Sequence, residues 1–273
     1  MVWPSRTAVV TGAVAGCVNV AVVLTLFARA EYPTLGSVIG VSVLVGTGFV
    51  LGLVPVLVSV RTRLLAPTVG FVAVLAATTY LEVTTPQPTW SALDEYVIVD
   101  GPTHVASYAN TWYLWLSLLL LAGAIEFGLR RGYGIADERL RNLPDLPLSN
   151  GDLIRAVTGF ASLLGIATVL LVLRAGIRPP VTAIAVFAVA AAVTAVPLAA
   201  LLTRRLISPV VLFALLVPYL LAIEAFTATD SPVHIFLFGP YAIVLVIAWV
   251  VEATIRSRLG RNNGSGFATG NGT

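Results

Sequence analysis

The sequence contains no lysine, one cysteine and only two histidines, and each scarcity excludes a class of protein. Without lysine the chain forms no retinal Schiff base, so a retinal-binding pigment is excluded. The lone Cys17 excludes an internal disulfide and any zinc or iron–sulfur site that needs several cysteine ligands. Two imidazoles are too few for the histidine-rich di-iron oxygenases of membranes. Phosphate-loop, nucleophile-elbow and His-Glu-x-x-His motifs are also absent.

Charged residues are scarce as well. They make up 11% of the 273 residues, whereas hydrophobic residues make up 58%, and the mean hydropathy is +0.95. A soluble globular domain has about a quarter of its residues charged. The composition therefore excludes a water-soluble protein and indicates one that lies in a lipid bilayer.

Eight apolar stretches are long enough to cross a bilayer, which takes roughly 20 residues in a helix. They lie at 7–28, 36–60, 64–81, 111–129, 156–173, 181–202, 206–226 and 233–251. Their continuous apolar character excludes the alternating strands of an outer-membrane barrel. The sequence predicts an all-α polytopic membrane protein with eight transmembrane helices.

The arginines predict the orientation of these spans, because cytoplasmic loops are enriched in basic residues. With the N-terminus in the cytoplasm, thirteen of the 16 arginines lie inside. Arg29, Arg174 and Arg178 lie outside. The even number of spans places both termini in the cytoplasm, so we expect a multi-pass protein of the cell membrane.

An internal repeat relates the two halves of the chain. At an offset of 142 residues, 54–85 and 196–227 share nine identical positions out of 32. We interpret the chain as a 4+4 parallel tandem repeat about an axis along the membrane normal. The predicted units are a first four-helix repeat (1–129), a cytoplasmic linker (130–155), a second four-helix repeat (156–260) and a disordered cytoplasmic tail (261–273).

Both histidines occur in one repeated pattern, Asp-x-Pro-x-His. The first copy joins Asp100 to His104, and the second joins Asp230 to His234. One interpretation is helix capping by the aspartate. Another is a site for a divalent metal, because two Asp/His pairs supply two carboxylates and two imidazoles. A third is a proton acceptor with its orienting partner. No cofactor is required by the sequence, and a divalent metal is the one it leaves open.

Four further charged residues recur at the extracytoplasmic ends of the spans. Glu82 and Glu224 end the third span of each half, and Arg29 and Arg174 end the first. Three interpretations of the carboxylates are open: they lie at the membrane interface, they form ion pairs with these arginines, or they bind a coupling ion. The arginines snorkel to the interface or hold an anionic ligand or lipid headgroup. The loop at 82–110, which is longer than its counterpart in the second half, is a candidate lid.

Prolines and i, i+4 charge pairs also recur. Prolines at matched positions within the predicted spans indicate kinks, because a proline removes a helical hydrogen bond. These are Pro55, Pro67, Pro197 and Pro209. At the cytoplasmic ends of the last spans, Glu126–Arg130 and Glu252–Arg256 have the spacing of local salt bridges.

The repeat, the kinked spans and the matched polar residues together favour a carrier or permease-like protein. Its outward-facing polar site lies between the repeats, and its ligand is a small molecule or an ion. One alternative is a membrane-embedded enzyme that acts on a lipid or lipophilic substrate through the Asp/His pairs. Another is a non-catalytic subunit of a membrane complex. The linker lacks the length and aromatic residues of a nucleic-acid-binding module, so we expect the bilayer as a partner but no nucleic acid.

Overall fold

The long apolar runs form long helices, since a helix in lipid satisfies its own backbone hydrogen bonds. The computed structural model describes residues 5–93, 96–176, 178–227 and 233–264. Its α-helices in these ranges are α1 (Arg6–Arg29), α2 (Val38–Thr62), α3 (Ala66–Thr84), α4 (His104–Asn110), α5 (Trp112–Tyr133), α6 (Asn150–Arg174), α7 (Pro180–Arg204), α8 (Ser208–Thr227), α9 (Val233–Phe236) and α10 (Phe238–Gly264). Eight segments of the described chain are long and apolar enough to cross a membrane. The chain is therefore a mainly helical, multi-pass membrane protein.

The eight predicted spans correspond one to one to the eight long helices, but the stretch between α5 and α6 is shorter than the predicted linker. α5 continues to Tyr133 and closes at Gly134, which has a left-handed φ of 67°. α6 begins at Asn150, because the Ser149 hydroxyl accepts a hydrogen bond from the Asp152 amide at 3.2 Å. The stretch at 134–149 contains a single-turn 3-10 helix at Asp137–Arg139.

The end of the chain also differs from the expected boundary. α10 continues to Gly264, four residues past the predicted end of the second repeat at 260. The rest of the predicted tail, residues 265–273, lies outside the described residues.

The predicted lid at 82–110 contains an antiparallel hairpin, which departs from the all-α expectation. Strand β1 (Thr89–Leu93) pairs with β2 (Tyr96–Asp100), with Thr89 opposite Asp100. The Trp90 indole Nε1 donates a hydrogen bond to the Ala30 carbonyl at 2.9 Å, which fastens the hairpin to the end of α1. We call this end of the bundle the hairpin face, and the opposite end, where α5 ends and α6 begins, the terminal face.

In each half, one short helix precedes the last long helix. The apolar pattern does not predict these two short helices as separate elements. α4 ends at Asn110, and Thr111 separates it from α5. α9 is likewise followed closely by α10. Both α1–α5 and α6–α10 therefore consist of three long helices, one short helix and one long helix.

Glycines allow close packing both within the first half and between the halves. A Cβ added to Gly52 of α2 would lie 2.6 Å from the Ala15 carbonyl oxygen of α1. One added to Gly128 of α5 would lie 2.6 Å from Cδ2 of Leu201, on α7. The first contact joins α1 to α2, and the second joins the two halves. A side chain at Gly52 would force the two helices apart because it would overlap backbone atoms, whereas one at Gly128 would displace the Leu201 side chain.

The expected proline kinks divide into two groups. Pro55 and Pro197 lie inside α2 and α7 as expected, and both are buried. Pro67 lies in the first turn of α3, and Pro209 is the second residue of α8. The first turn has no helical hydrogen bond to lose at these positions. The prediction that Pro67 and Pro209 kink a span is therefore wrong.

Candidate functional site

The carboxylate of Glu82 lies buried on the last turn of α3, at the hairpin face, with 6% of the residue exposed. Its Oε1 accepts a hydrogen bond from the Tyr32 hydroxyl at 3.0 Å. Its Oε2 accepts one from the backbone amide of Val105 at 2.8 Å, in the first turn of α4. Glu82 thus supplies the cap that the α4 N-terminus lacks locally, since the Thr103 side chain forms no capping bond.

This arrangement corrects the capping interpretation of Asp100. The helix begins at His104, and Asp100 is the exposed last residue of β2, four residues earlier. A capping side chain has to lie at the residue just before the helix, so Asp100 is too far back along the chain. The capping prediction fails because Gly101 to Thr103 connect the hairpin to the helix instead of opening the helix.

Tyr32 stays a neutral hydrogen-bond donor in this site. Its ring packs against Phe27 at 4.5 Å and Trp90 at 5.0 Å between centroids. Burial raises the pKa of Tyr32, and the neighbouring negative charge of Glu82 raises it further. The aromatic cluster and the hairpin therefore cover the Glu82 carboxylate on its solvent side.

A second set of buried hydrogen bonds links α1, α2 and α4 in the first half, and it was not predicted from the sequence. The Tyr108 hydroxyl of α4 donates to Oδ1 of Asn19 on α1 at 2.9 Å. The Asn19 amide nitrogen in turn donates to the Gly48 carbonyl of α2 at 2.8 Å. Asn19 was detectable as the one amide side chain inside the first span, because polar residues at membrane depth face the protein interior.

Each of the two histidines has one buried ring nitrogen that is unsatisfied within the described part of the chain. His104 Nε2 and His234 Nδ1 are buried and have no hydrogen-bond partner among the described residues. The His104 ring lies 6.0 Å from the Phe226 ring of α8, and Phe226 lies 5.6 Å from Trp115 of α5. Trp115 Nε1 is also buried without a partner among the described residues. His104 and Trp115 thus both contact the second half through the Phe226 ring.

Glu224 lies on α8, two residues before Phe226, and is 2% exposed. Like Glu82, it is a carboxylate near the end of the third long helix of its half, and like Glu82 it has a partner in the structure. Both glutamates are therefore buried. The alternative that they are surface carboxylates at the membrane interface is wrong.

The two arginines that were expected beside these carboxylates lie nearer the protein surface than the carboxylates do. Arg29 and Arg174 are exposed at the ends of α1 and α6. The described residues include no Arg29–Glu82 ion pair, and the Glu82 oxygens accept hydrogen bonds from Tyr32 and Val105 instead. Both arginines are positioned at the rim of the hairpin face rather than in the buried site.

A metal site that uses both Asp/His pairs stays a prediction. Asp100 is exposed, and Asp230 lies outside the described residues. Within the described ranges, no group of three or more histidine, cysteine, aspartate or glutamate side chains is arranged to hold a metal ion.

At the terminal face, both predicted salt bridges are confirmed. Arg130 pairs with Glu126 at 3.1 Å, and Arg256 pairs with Glu252 at 2.6 Å. Each glutamate also caps a neighbouring helix, which the i, i+4 spacing does not reveal. Glu126 Oε2 accepts from the Leu65 and Ala66 amides before and in the first turn of α3 at 2.7 and 2.6 Å. The Glu252 oxygens accept from the Ile207 and Ser208 amides at the start of α8, at 3.2 and 2.8 Å.

Comparisons with protein-family models, with curated proteins and with solved structures found no match to this chain.

Proposed function

We propose that the protein is a carrier whose ligand site lies at the hairpin face, where the two halves of the chain meet. The site residues are His104, His234, Glu82 and Glu224, with Arg29 and Arg174 at its rim and Asp100 and Asp230 in the adjoining connections. The observation that carries the proposal is that one buried nitrogen of each imidazole has no hydrogen-bond partner among the described residues. The ligand is a small polar molecule or an ion.

Unpaired buried nitrogens favour a binding site because they are costly in a folded protein. Leaving a buried polar group unsatisfied costs about 1–3 kcal/mol, and such groups in native structures call for an explanation such as a bound ligand or ion. The chain has only two histidines, and both have this property. A ligand that hydrogen-bonds both rings would recover that free energy.

The proposed 4+4 repeat explains why the two histidines would form one site. The helix order of α1–α5 matches that of α6–α10. Arg63 after α2 and Arg205 after α7 both have a left-handed backbone, with φ of 63° and 55°. Glu126 and Glu252 cap α3 and α8 in the same way. These matches support a duplication with both copies in the same orientation.

The arginine distribution supports an extracytoplasmic hairpin face in the cell membrane. Thirteen of the 16 arginines, including Arg63, Arg130 and Arg256, belong to the terminal face or to connections on that side. Basic residues are retained on the cytoplasmic side of a membrane. The proposed site therefore opens away from the cytoplasm, and both termini are cytoplasmic.

Uptake by reconstituted vesicles tests the carrier proposal. The full-length protein is placed in liposomes, and the uptake of isotope-labelled sodium, chloride, phosphate, acetate and glycine is measured. We expect at least one probe to enter faster than into protein-free liposomes. The paired variant His104→Ala/His234→Ala should reduce that uptake to the protein-free rate, because it removes both rings.

Arg258→Ala is the matched control, since Arg258 is exposed near the terminal end of α10. It should leave uptake unchanged, and thermal unfolding should show that both variants are folded. Uptake that persists in the folded double-histidine variant would contradict the proposed site. A protein that moves none of the five probes would contradict the carrier function.

A further inference from the structure

A basic cavity of about 620 Å³ lies at the terminal face of the first half, away from the proposed carrier site. Its walls come from the end of α2, the start of α3, the end of α5 and the stretch after α5. Four arginines and two glutamates line it: Arg63, Arg130, Arg139, Arg141, Glu126 and Glu138. The lining therefore has an excess of two positive charges.

The Arg130 guanidinium holds the walls of the cavity together, because its nitrogens are already hydrogen-bonded to neighbouring residues. Its Nη1 donates to the Arg63 carbonyl at 2.9 Å and to Glu126 at 3.1 Å. Its Nη2 donates to the Ala136 carbonyl at 2.7 Å. These bonds hold the turn after α5 against the end of α2 and neutralise Glu126. The Arg141 amide, which donates to the Thr62 carbonyl at 3.1 Å, holds the following residues in place.

The other three arginines have exposed side chains that are available to a ligand. Arg63, Arg139 and Arg141 are exposed and form no ion pair with any carboxylate in the described part of the chain. Guanidinium groups bind phosphate oxygens through paired hydrogen bonds. Three of them around one cavity provide a site for a phosphate-bearing anion.

Two exposed apolar residues of the same cavity indicate the source of that anion. Leu65 is 67% exposed and Ile135 is 61% exposed, and both lie at the level where the membrane helices end. A soluble phosphate compound would leave these side chains in water, whereas a lipid would cover them with its glycerol and acyl groups. We propose that this cavity binds the headgroup of an anionic phospholipid.

The second half provides an internal comparison. On the same face, α7 and α10 line a cavity of about 420 Å³ that contains one arginine, Arg204, together with Trp249, Thr254 and Ser257. The stretch after α5 supplies Arg139 and Arg141 to the first half alone. We therefore expect one preferred anionic lipid per chain, bound at the first half.

Native mass spectrometry of the full-length protein in detergent tests the site. Phosphatidylglycerol and phosphatidylcholine are titrated separately, and the affinity for the first bound lipid is measured. We expect a preference for phosphatidylglycerol. The variant Arg139→Gln/Arg141→Gln should weaken phosphatidylglycerol binding about tenfold or more, because each basic residue near the surface contributes to anionic-lipid binding. Arg139→Lys/Arg141→Lys should retain the preference.

The control is Arg204→Gln/Arg258→Gln, which removes two positive charges from the same face outside the cavity. It should change the affinity by no more than about twofold if the cavity, rather than the general charge of the face, binds the lipid. An equal loss in the control, or equal binding of the two lipids, would overturn the proposal. Displacement of phosphatidylglycerol by millimolar inorganic phosphate would show that the cavity prefers a soluble anion, and would overturn it as well.

Discussion

The side chain of Glu82 shows how a single residue joins three segments of the chain. Its two oxygens bind the Tyr32 hydroxyl from the connection after α1 and the Val105 amide from α4. In an apolar setting both donors would otherwise be unpaired, and each would be destabilising. The carboxylate therefore fixes α4, and with it His104, against α3.

Replacement of Glu82 by alanine should destabilise the protein strongly. It leaves the buried Val105 amide and the Tyr32 hydroxyl without acceptors, and each unpaired donor costs about 1–3 kcal/mol. Thermal unfolding in detergent micelles measures the effect. Asp100→Ala is the matched control, because Asp100 is an exposed carboxylate on the same face, and it should shift stability by less than about 0.5 kcal/mol. If both variants lost the same large amount of stability, the result would contradict the distinct role of Glu82 and favour capping by Asp100.

At the scale of the element, α1 and α2 approach each other backbone to backbone at Gly52. A methyl group there would overlap the Ala15 carbonyl, at 2.6 Å, and Cα of Gly16, at 2.8 Å. Both are backbone atoms, so relief requires the two helices to separate. In lipid, close backbone approach is the main source of helix association, so this contact determines how well α1 is held.

The variant Gly52→Ala should lower the thermal stability, with a loss of about 1–3 kcal/mol for an overpacked contact. Gly46→Ala is the control on the same helix, because a Cβ at Gly46 meets nothing within 4 Å. That control should be neutral or stabilising, since alanine favours a helix over glycine by about 1 kcal/mol. If the two variants unfolded at the same temperature, the contact would not be tight in the protein.

The elements that the sequence predicts well are those determined by local physics. The spans follow from length and hydropathy, but the predicted linker ended at 155, so the start of α6 at Asn150, with its Ser149 cap, was missed by six residues. The hairpin and α4 were not predicted, because they depend on contacts between distant residues. Trp90 reaches Ala30 across 60 positions, and Glu82 reaches Val105 across 23. The same applies to the site: the repeat identified both histidines, but only the packing against Phe226 shows that His104 contacts the second half.

At the scale of the whole molecule, the two faces differ in how their polar groups are satisfied. At the terminal face, Glu126 and Glu252 each bind an arginine and a helix N-terminus, although the buried Arg131 Nε has no partner among the described residues. The hairpin face contains the unpaired nitrogens of both histidines. The buried imidazoles of the hairpin face support a carrier ligand that approaches from that side, whereas the exposed arginines of the terminal face are suited to binding an anionic lipid.

The direction of that approach is testable because Cys17 is the only cysteine of the chain. In a Cys17→Ser background, Ser91→Cys introduces a thiol on the exposed hairpin strand β1, and Asp145→Cys introduces one between α5 and α6. With the hairpin face outside the cell, a membrane-impermeant maleimide added to intact cells should label Ser91→Cys and spare Asp145→Cys. Membrane disruption should make both thiols reactive, since the Asp145 side chain is 90% exposed. Labelling of Asp145→Cys in intact cells, with Ser91→Cys protected, would show that the protein has the opposite orientation. The hairpin face and its histidines would then lie on the cytoplasmic side.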